Sequence, residues 1–201
     1  MKPLMRAAHL STALLILCAS AVLLTACKSP PTSFYTLSAD ASLERSGNTL
    51  PGAVVVGPVT IPDLVDRPQL VTRVSGNEVA LDEFARWGEP LRSGVAAAIA
   101  GDLSRLLGSE RVSMSSQTVA GTESWRVRVD IVQFDSMPGE AVAVDALWTV
   151  HVAGRATLLT GRSTVREPVT GAGYGALVAA HSRALATVSR DIAAAIRKSS
   201  S

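Results

Sequence analysis

The chain has 201 residues, 47% of them hydrophobic, with 19 basic and 17 acidic side chains and a formal net charge of +2. That near-neutral balance lacks the positive field of a nucleic-acid binder and the polybasic cluster that holds a protein on anionic lipid by charge alone. Its two cysteines are Cys18 and Cys27, so everything beyond them is without disulfide, thiol nucleophile or cysteine metal site, and stability must come from a core or from oligomerisation.

Lys2 and Arg6 precede an almost unbroken apolar run over residues 10–24. This is the layout of a secretory signal peptide, too short and too N-terminal for a membrane span. The run ends in Leu24-Thr25-Ala26-Cys27, which resembles the lipobox of bacterial lipoproteins. The resemblance implies that residues 1–26 are a signal peptide. It also implies a diacylglycerol on the Cys27 thiol, cleavage before Cys27 and acylation of the new amino group. Cleavage removes Lys2 and Arg6 and no acid, leaving 17 charges of each sign, so the apparent basicity belongs to the signal. Residues 28–33 (K-S-P-P-T-S) read as a tether. These six residues, which follow the lipidated Cys27, span roughly 20 Å when extended, at ~3.3–3.6 Å per residue. The folded body, residues 34–201, is then held close to the membrane by its N-terminal lipid. In enterobacterial lipoproteins an Asp after the Cys resembles an inner-membrane retention signal. Lys28 stands there instead, which favours the periplasmic face of the outer membrane.

Residues 34–37 (F-Y-T-L) read as a first strand, and residues 38–52 as a polar, turn-rich loop. Residues 54–62 form an apolar run that Gly57-Pro58 should interrupt or bulge. The prolines at 62 and 68 make the intervening stretch irregular. Residues 69–74 and 78–81 are strand candidates around a Ser75-Gly76-Asn77 turn. Pro90 opens a helix whose apolar face is Leu91, Val95, Ile99, Leu103 and Leu106, and Gly108 ends it. Gly94 and Gly101 within it leave room for close packing on a sheet.

Residues 111–114 are a short strand candidate. Trp125, Val127, Val129 and Ile131 then alternate with Arg126, Arg128 and Asp130. After a turn at 136–139, Val142, Val144, Ala146, Trp148, Val150 and Val152 share one face. A further turn at 153–155 leads into residues 156–165. This is an antiparallel meander with one buried face. The last element, residues 175–198, is a helix with the stripe Leu177, Ala180, Ala184, Leu185, Val188, Ile192 and Ile196. The expected fold is a single α+β domain, a mainly antiparallel sheet with two helices packed on one face.

The residues announce no chemistry. His151 and His181 stand alone, outside any zinc-ligand spacing. No nucleophile elbow accompanies Ser163. Gly171-Ala172-Gly173-Tyr174-Gly175 does not complete a dinucleotide or phosphate-loop pattern and reads as a hinge into the last helix. Asp63, Asp66 and Glu83 read as solvated turn acids. No catalytic residue, metal or cofactor is expected.

The stretch V-V-V-G-P-V-T-I-P-D-L-V-D-R-P-Q-L-V-T-R-V from Val54, followed by R-W-G-E-P-L from Arg86, carries a recognisable signature. With the lipobox, the early F-Y-T-L, Ala146-Leu147-Trp148 and the Ala-rich last helix, the chain resembles the ABC-type transport auxiliary lipoprotein family, the Pqi-type lipoproteins. D-R-P-Q-L-V and R-W-G-E-P-L are the most specific pieces. The resemblance implies a non-enzymatic accessory subunit of an intermembrane lipid-transport system. In such systems MCE-domain proteins anchored in the inner membrane form a tunnel, and the lipoprotein docks its far end at the outer membrane. The symmetry of such tunnels allows the subunit to be a homo-oligomer.

Asp66, Arg67 and Pro68, on a stiff irregular loop, and Arg86 and Trp87, before a helix start, are the candidates for partner binding. Trp and Arg are enriched at interface hot spots. Two structural alternatives stand beside this: Arg67 locks its loop on the sheet, and Trp87 caps the core with Arg86 paired to Glu83 or Glu89. A periplasmic lipid carrier with a groove between sheet and helices, a regulator of a cell-wall enzyme and a periplasmic hydrolase are the rival functions.

Overall fold

The computed structural model describes residues 30–114, 124–155 and 158–200. The expected signal peptide and Cys27 lie outside them. The described elements run β1 (Ser33–Tyr35), β2 (Ala53–Thr60), β3 (Gln69–Arg73), β4 (Val79–Trp87), α1 (Leu91–Leu107), β5 (Val112–Ser113), β6 (Ser124–Met137), β7 (Ala141–Val152), β8 (Leu158–Pro168) and α2 (Gly173–Ser200).

The alternating apolar residues of β6 and β7 do what their period demands. Trp125, Val127, Val129 and Ile131 are buried, as are Val142, Val144, Ala146, Trp148, Val150 and Val152. These strands and β8 form the antiparallel meander within a five-stranded sheet of order β5-β2-β6-β7-β8. A bulge between Ile131 and Gln133 shifts the phase of β6, so that Phe134 and Ser136 become the buried residues beyond it.

The α+β single domain and the two helices hold, while the sheet is divided and mixed. β2 runs parallel to both β5 and β6, and a smaller sheet of order β1-β4-β3 has β1 parallel to β4. The reason is the connection. Parallel neighbours need a long crossover, and β2 reaches β6 only after β3, β4, α1 and β5. Periodicity reports which face is buried, not which way a neighbour runs. The interruption expected at Gly57-Pro58 is a register shift in β2 between Val56 and Val59.

α1 packs on β2 and β5 and against α2, which lies on β7 and β8. Every residue of the predicted α2 stripe is buried. In α1 the four-residue spacing continues to Leu107, which is fully buried, and Leu106 is only half-buried. Pro90 sits one position before the helix and its carbonyl accepts from Ser93 and Gly94. Gly108 takes the left-handed φ of 61° that ends a helix at little cost.

Residues 38–52 are irregular, as expected, yet they are a strap and not a solvated loop. Leu43 and Leu50 are buried, and the N–H groups of Ser46 and Leu50 donate to the carbonyls of Arg105 and Leu107. The strap thereby satisfies carbonyls that the end of α1 leaves without helical partners. It also explains one glycine of α1, Gly101. A Cβ on Gly101 would stand 2.7 Å from the Cβ of Ala39, so the close approach is to the strap and not to a sheet. Asp102, fully buried, accepts from the N–H of Asp40 at 2.8 Å and meets Ser189 Oγ at 3.1 Å, which pins strap, α1 and α2 together.

Candidate functional site

The two signature motifs meet at one place. After Pro62 the chain turns: the N–H groups of Val65 and Asp66 both donate to the Pro62 carbonyl, and that of Arg67 donates to Val65. Val65 is buried and anchors the turn. Pro68 then leads into β3, and its carbonyl accepts the N–H of Trp87 at 2.7 Å. Trp87, at the end of β4, is 8% exposed and sets its ring edge-on to Phe134, with centroids 6.4 Å apart. It caps the core from one side. From the other it lines an open groove of about 350 Å³, together with Asp66, Arg67, Pro68, Glu89, Pro90 and Leu91.

Four of the five candidate partner-binding residues, Asp66, Arg67, Pro68 and Trp87, therefore share this groove. Arg86 does not line it. The register of β4 against β3 jumps from Gln69–Arg86 to Leu70–Asp82, which bulges out residues 83–85. Arg86 braces that bulge: Nε donates to the Glu83 carbonyl and Nη2 to the Glu83 carboxylate, both at 3.0 Å. Gln69 donates to the same carboxylate at 3.2 Å. Glu83 is thus the partner Arg86 takes, and Glu89 is not.

The charges around the groove are unequally committed. Asp66 is paired with Arg92. Glu89 is exposed, with Oε1 lying 3.5 Å from where a Cβ on Gly94 would stand, over the first turn of α1. Arg67 is half-buried. Its Nε is shut off from solvent without a hydrogen-bond partner, and the guanidinium makes no ion pair among the described residues. Glu89, Pro90 and Leu91 were not among the candidates from sequence, although they follow Arg86-Trp87 directly in R-W-G-E-P-L.

The histidines offer no such opening. His151 is exposed on the outer face of β7. His181 is fully buried, stacked on Phe134 at 3.9 Å, with Nε2 2.8 Å from Ser136 Oγ. Its Nδ1 is buried without a partner. Burial pulls its pKa down to about 3, against the attraction of Asp135. A hydroxyl and an imidazole are in contact, but no acid orients the ring and the pair is sealed in the core, so it lacks the layout of an activated nucleophile. Tyr174, in the glycine-rich stretch, packs tilted against Tyr35 with ring centroids 6.0 Å apart, and burial, with Asp82 beside the phenol, pushes its pKa up to about 12. That stretch fastens the start of α2.

Among the described residues no group of His, Cys, Asp or Glu could hold a metal ion. No described helix is long and apolar enough to cross a membrane. Cys27, the expected lipidation site, lies outside the described residues.

Two solved structures share this fold. One is the crystal structure of an uncharacterised protein, 18% identical, with a TM-score of 0.66 over 83% of this chain and 99% of that one. The other is the crystal structure of a Xanthomonas campestris protein, 14% identical, with a TM-score of 0.64 over 84% of this chain and 99% of that one. At these identities the likeness is one of fold. No curated protein matches the chain. A family model described as the ABC-type transport auxiliary lipoprotein component matches residues 35–193, from β1 through most of α2. The chain belongs to the ABC-type transport auxiliary lipoprotein family.

Proposed function

We propose that the chain is an outer-membrane lipoprotein, acylated at Cys27, that docks the periplasmic tunnel of an MCE-type lipid-transport system and carries out no covalent chemistry. The family supplies the auxiliary role in transport. The lipobox-like Leu24-Thr25-Ala26-Cys27 supports the anchor, and Lys28 supports the outer membrane. The observation that carries the docking reading is the groove. Its walls come from the two most specific motifs of the sequence.

The carrier alternative is disfavoured by packing. Between the helices and the large sheet, Val54, Val56, Val95, Ile99, Leu103, Val127, Leu185, Ile192 and Ile196 are fully buried against one another, and this layer is filled with side chains where an acyl chain would lie.

The test has two parts. Mass spectrometry of the mature protein should give an N-terminus at Cys27 with acyl mass. Affinity purification of the acylated protein should bring down the MCE-domain subunit. An unacylated N-terminus removes the anchor. Absence of the subunit, with membrane integrity intact in a deletion strain, removes the docking role.

A further inference from the structure

Arg67 is the group in the groove that the fold leaves unused. A buried donor without an acceptor costs stability, and a guanidinium presents a rigid fork matched to a carboxylate. Around it, Asp66 is taken by Arg92 and Glu89 lies over α1, so the local acids do not pair with it. The remaining walls are the rings of Pro68, Trp87 and Pro90 and the side chain of Leu91.

We propose that this groove reads a carboxylate on a peptide: it takes an extended segment of the transport partner in which an Asp or Glu side chain sits beside an apolar residue. The identity of the partner rests on the docking function proposed above; the ligand chemistry does not. The carboxylate pairs with the terminal nitrogens of the Arg67 guanidinium, which are not sealed off as Nε is and have no ion partner among the described residues, and the apolar neighbour covers the indole and proline rings. A chain-terminal carboxylate is usually captured by a nest of free backbone N–H groups. Here those of Arg67 itself and of Val65, Asp66 and Trp87 are already bonded within the protein, so no nest forms beside the guanidinium, and the carboxylate proposed is that of a side chain. A groove of about 350 Å³ walled by flat rings and open to solvent accommodates a few peptide side chains and leaves most of a long acyl chain in water.

The test uses the mature acylated protein in detergent micelles, with NMR of the Arg67 Nε–H and Trp87 indole signals. The probes are acetyl-Leu-Glu-Leu-amide, its Gln analogue, acetyl-Leu-Leu as the free acid, and dodecanoate. The Glu peptide should shift both signals saturably and bind at least tenfold more tightly than the Gln peptide. Arg67→Lys should keep part of that preference and Arg67→Met none, with the fold of each variant checked by its melting temperature. Equal binding of the Glu and Gln peptides, no binding of either, or a response confined to dodecanoate or to the free acid overturns the proposal. Co-purification separates it from the docking function. If the MCE-domain subunit follows wild type and Arg67→Met equally, docking stands and this site falls. If the subunit follows neither, docking falls and the peptide titration alone decides this site.

Discussion

The N–H of Trp87 donates to the carbonyl of Pro68 at 2.7 Å, and this one bond ties the turn after β2 to the end of β4. It brings Arg67 and Trp87 into the lining of one groove. It also separates two arginines that look alike in sequence. Arg86 completes a bulge against Glu83, and Arg67 completes nothing within the described residues.

The two should therefore respond oppositely to substitution. Arg86→Ala breaks an exposed pair and frees the bulge, and should lower stability by about 1 kcal/mol or less without loss of partner binding. Arg67→Met removes a buried donor that has no acceptor and keeps the aliphatic stem. It should raise stability by about 1 kcal/mol, the trade expected where a residue is held for binding. Thermal melts of the two variants beside wild type decide it; an Arg67→Met protein that melts lower places Arg67 among the structural residues.

The two glycines of α1 make a second contrasting pair. Alanine gains roughly 1 kcal/mol over glycine in a helix interior. At Gly94 the added Cβ would meet ordinary contacts, Glu89 Oε1 at 3.5 Å and Leu37 Cδ1 at 3.7 Å, so Gly94→Ala should be neutral or stabilising. At Gly101 it would stand 2.7 Å from Ala39 Cβ. Gly101→Ala should lose about 1–3 kcal/mol from overpacking. It should also loosen the strap, seen as faster hydrogen exchange at Ser46 and Leu50.

What the sequence made legible follows from what periodicity can encode. The faces of β6, β7 and α2 emerge from spacing alone, because each element is half-buried against a single layer. The strap over α1 was invisible because Leu43 and Leu50 are isolated apolar residues in a polar stretch, and isolated residues have no period. The direction of β2 relative to β6 depends on a crossover, and the bulge at residues 83–85 on the register of a partner strand. Which of Glu83 and Glu89 pairs with Arg86 depends on that same bulge. The groove was legible in part, since both its walls come from proline-bounded motifs, but only the fold shows that Arg67 is left without an acceptor.

Gly161 carries no signal in the sequence, and the fold gives it a reason. It lies opposite Trp148 across the β7–β8 ladder, and a Cβ there would stand 2.1 Å from the indole ring. The ring covers the glycine and its Nε1 donates to Ser163 Oγ at 3.1 Å, which donates in turn to Asp191 on α2 at 2.5 Å. Gly161→Ala must displace the indole and break this chain. A loss of about 2–4 kcal/mol is expected, more than ordinary overpacking, because a buried indole N–H loses its acceptor as well. A red-shifted tryptophan emission should accompany the loss, and an unchanged melt with native emission would refute the account.

Asp102 carries the clearest pH dependence. Burial, opposed by the hydrogen bonds from Asp40 and Ser189, pushes its pKa from 3.8 up to about 6. The geometry explains why a proton is welcome. Ser189 Oγ lies 2.9 Å from the Leu185 carbonyl as well as 3.1 Å from Asp102, and a hydroxyl has one proton to give. If it donates to Leu185, Asp102 must donate to it, and only the protonated acid can. The folded state thus holds this proton more tightly than the unfolded chain does. The contribution to stability is favourable at low pH, declines as pH rises from about 4, and levels off above about 6. Asn is the permanent analogue of the protonated acid, with Oδ1 accepting from Asp40 and Nδ2 donating to Ser189. Asp102→Asn should therefore be more stable than wild type at pH 7–8, by an amount on the order of 2 kcal/mol. The difference should shrink towards zero as pH falls from 6 to 4. Denaturant titrations of both proteins across that range measure it directly, and a difference that is constant with pH would mean that Asp102 is ionised throughout.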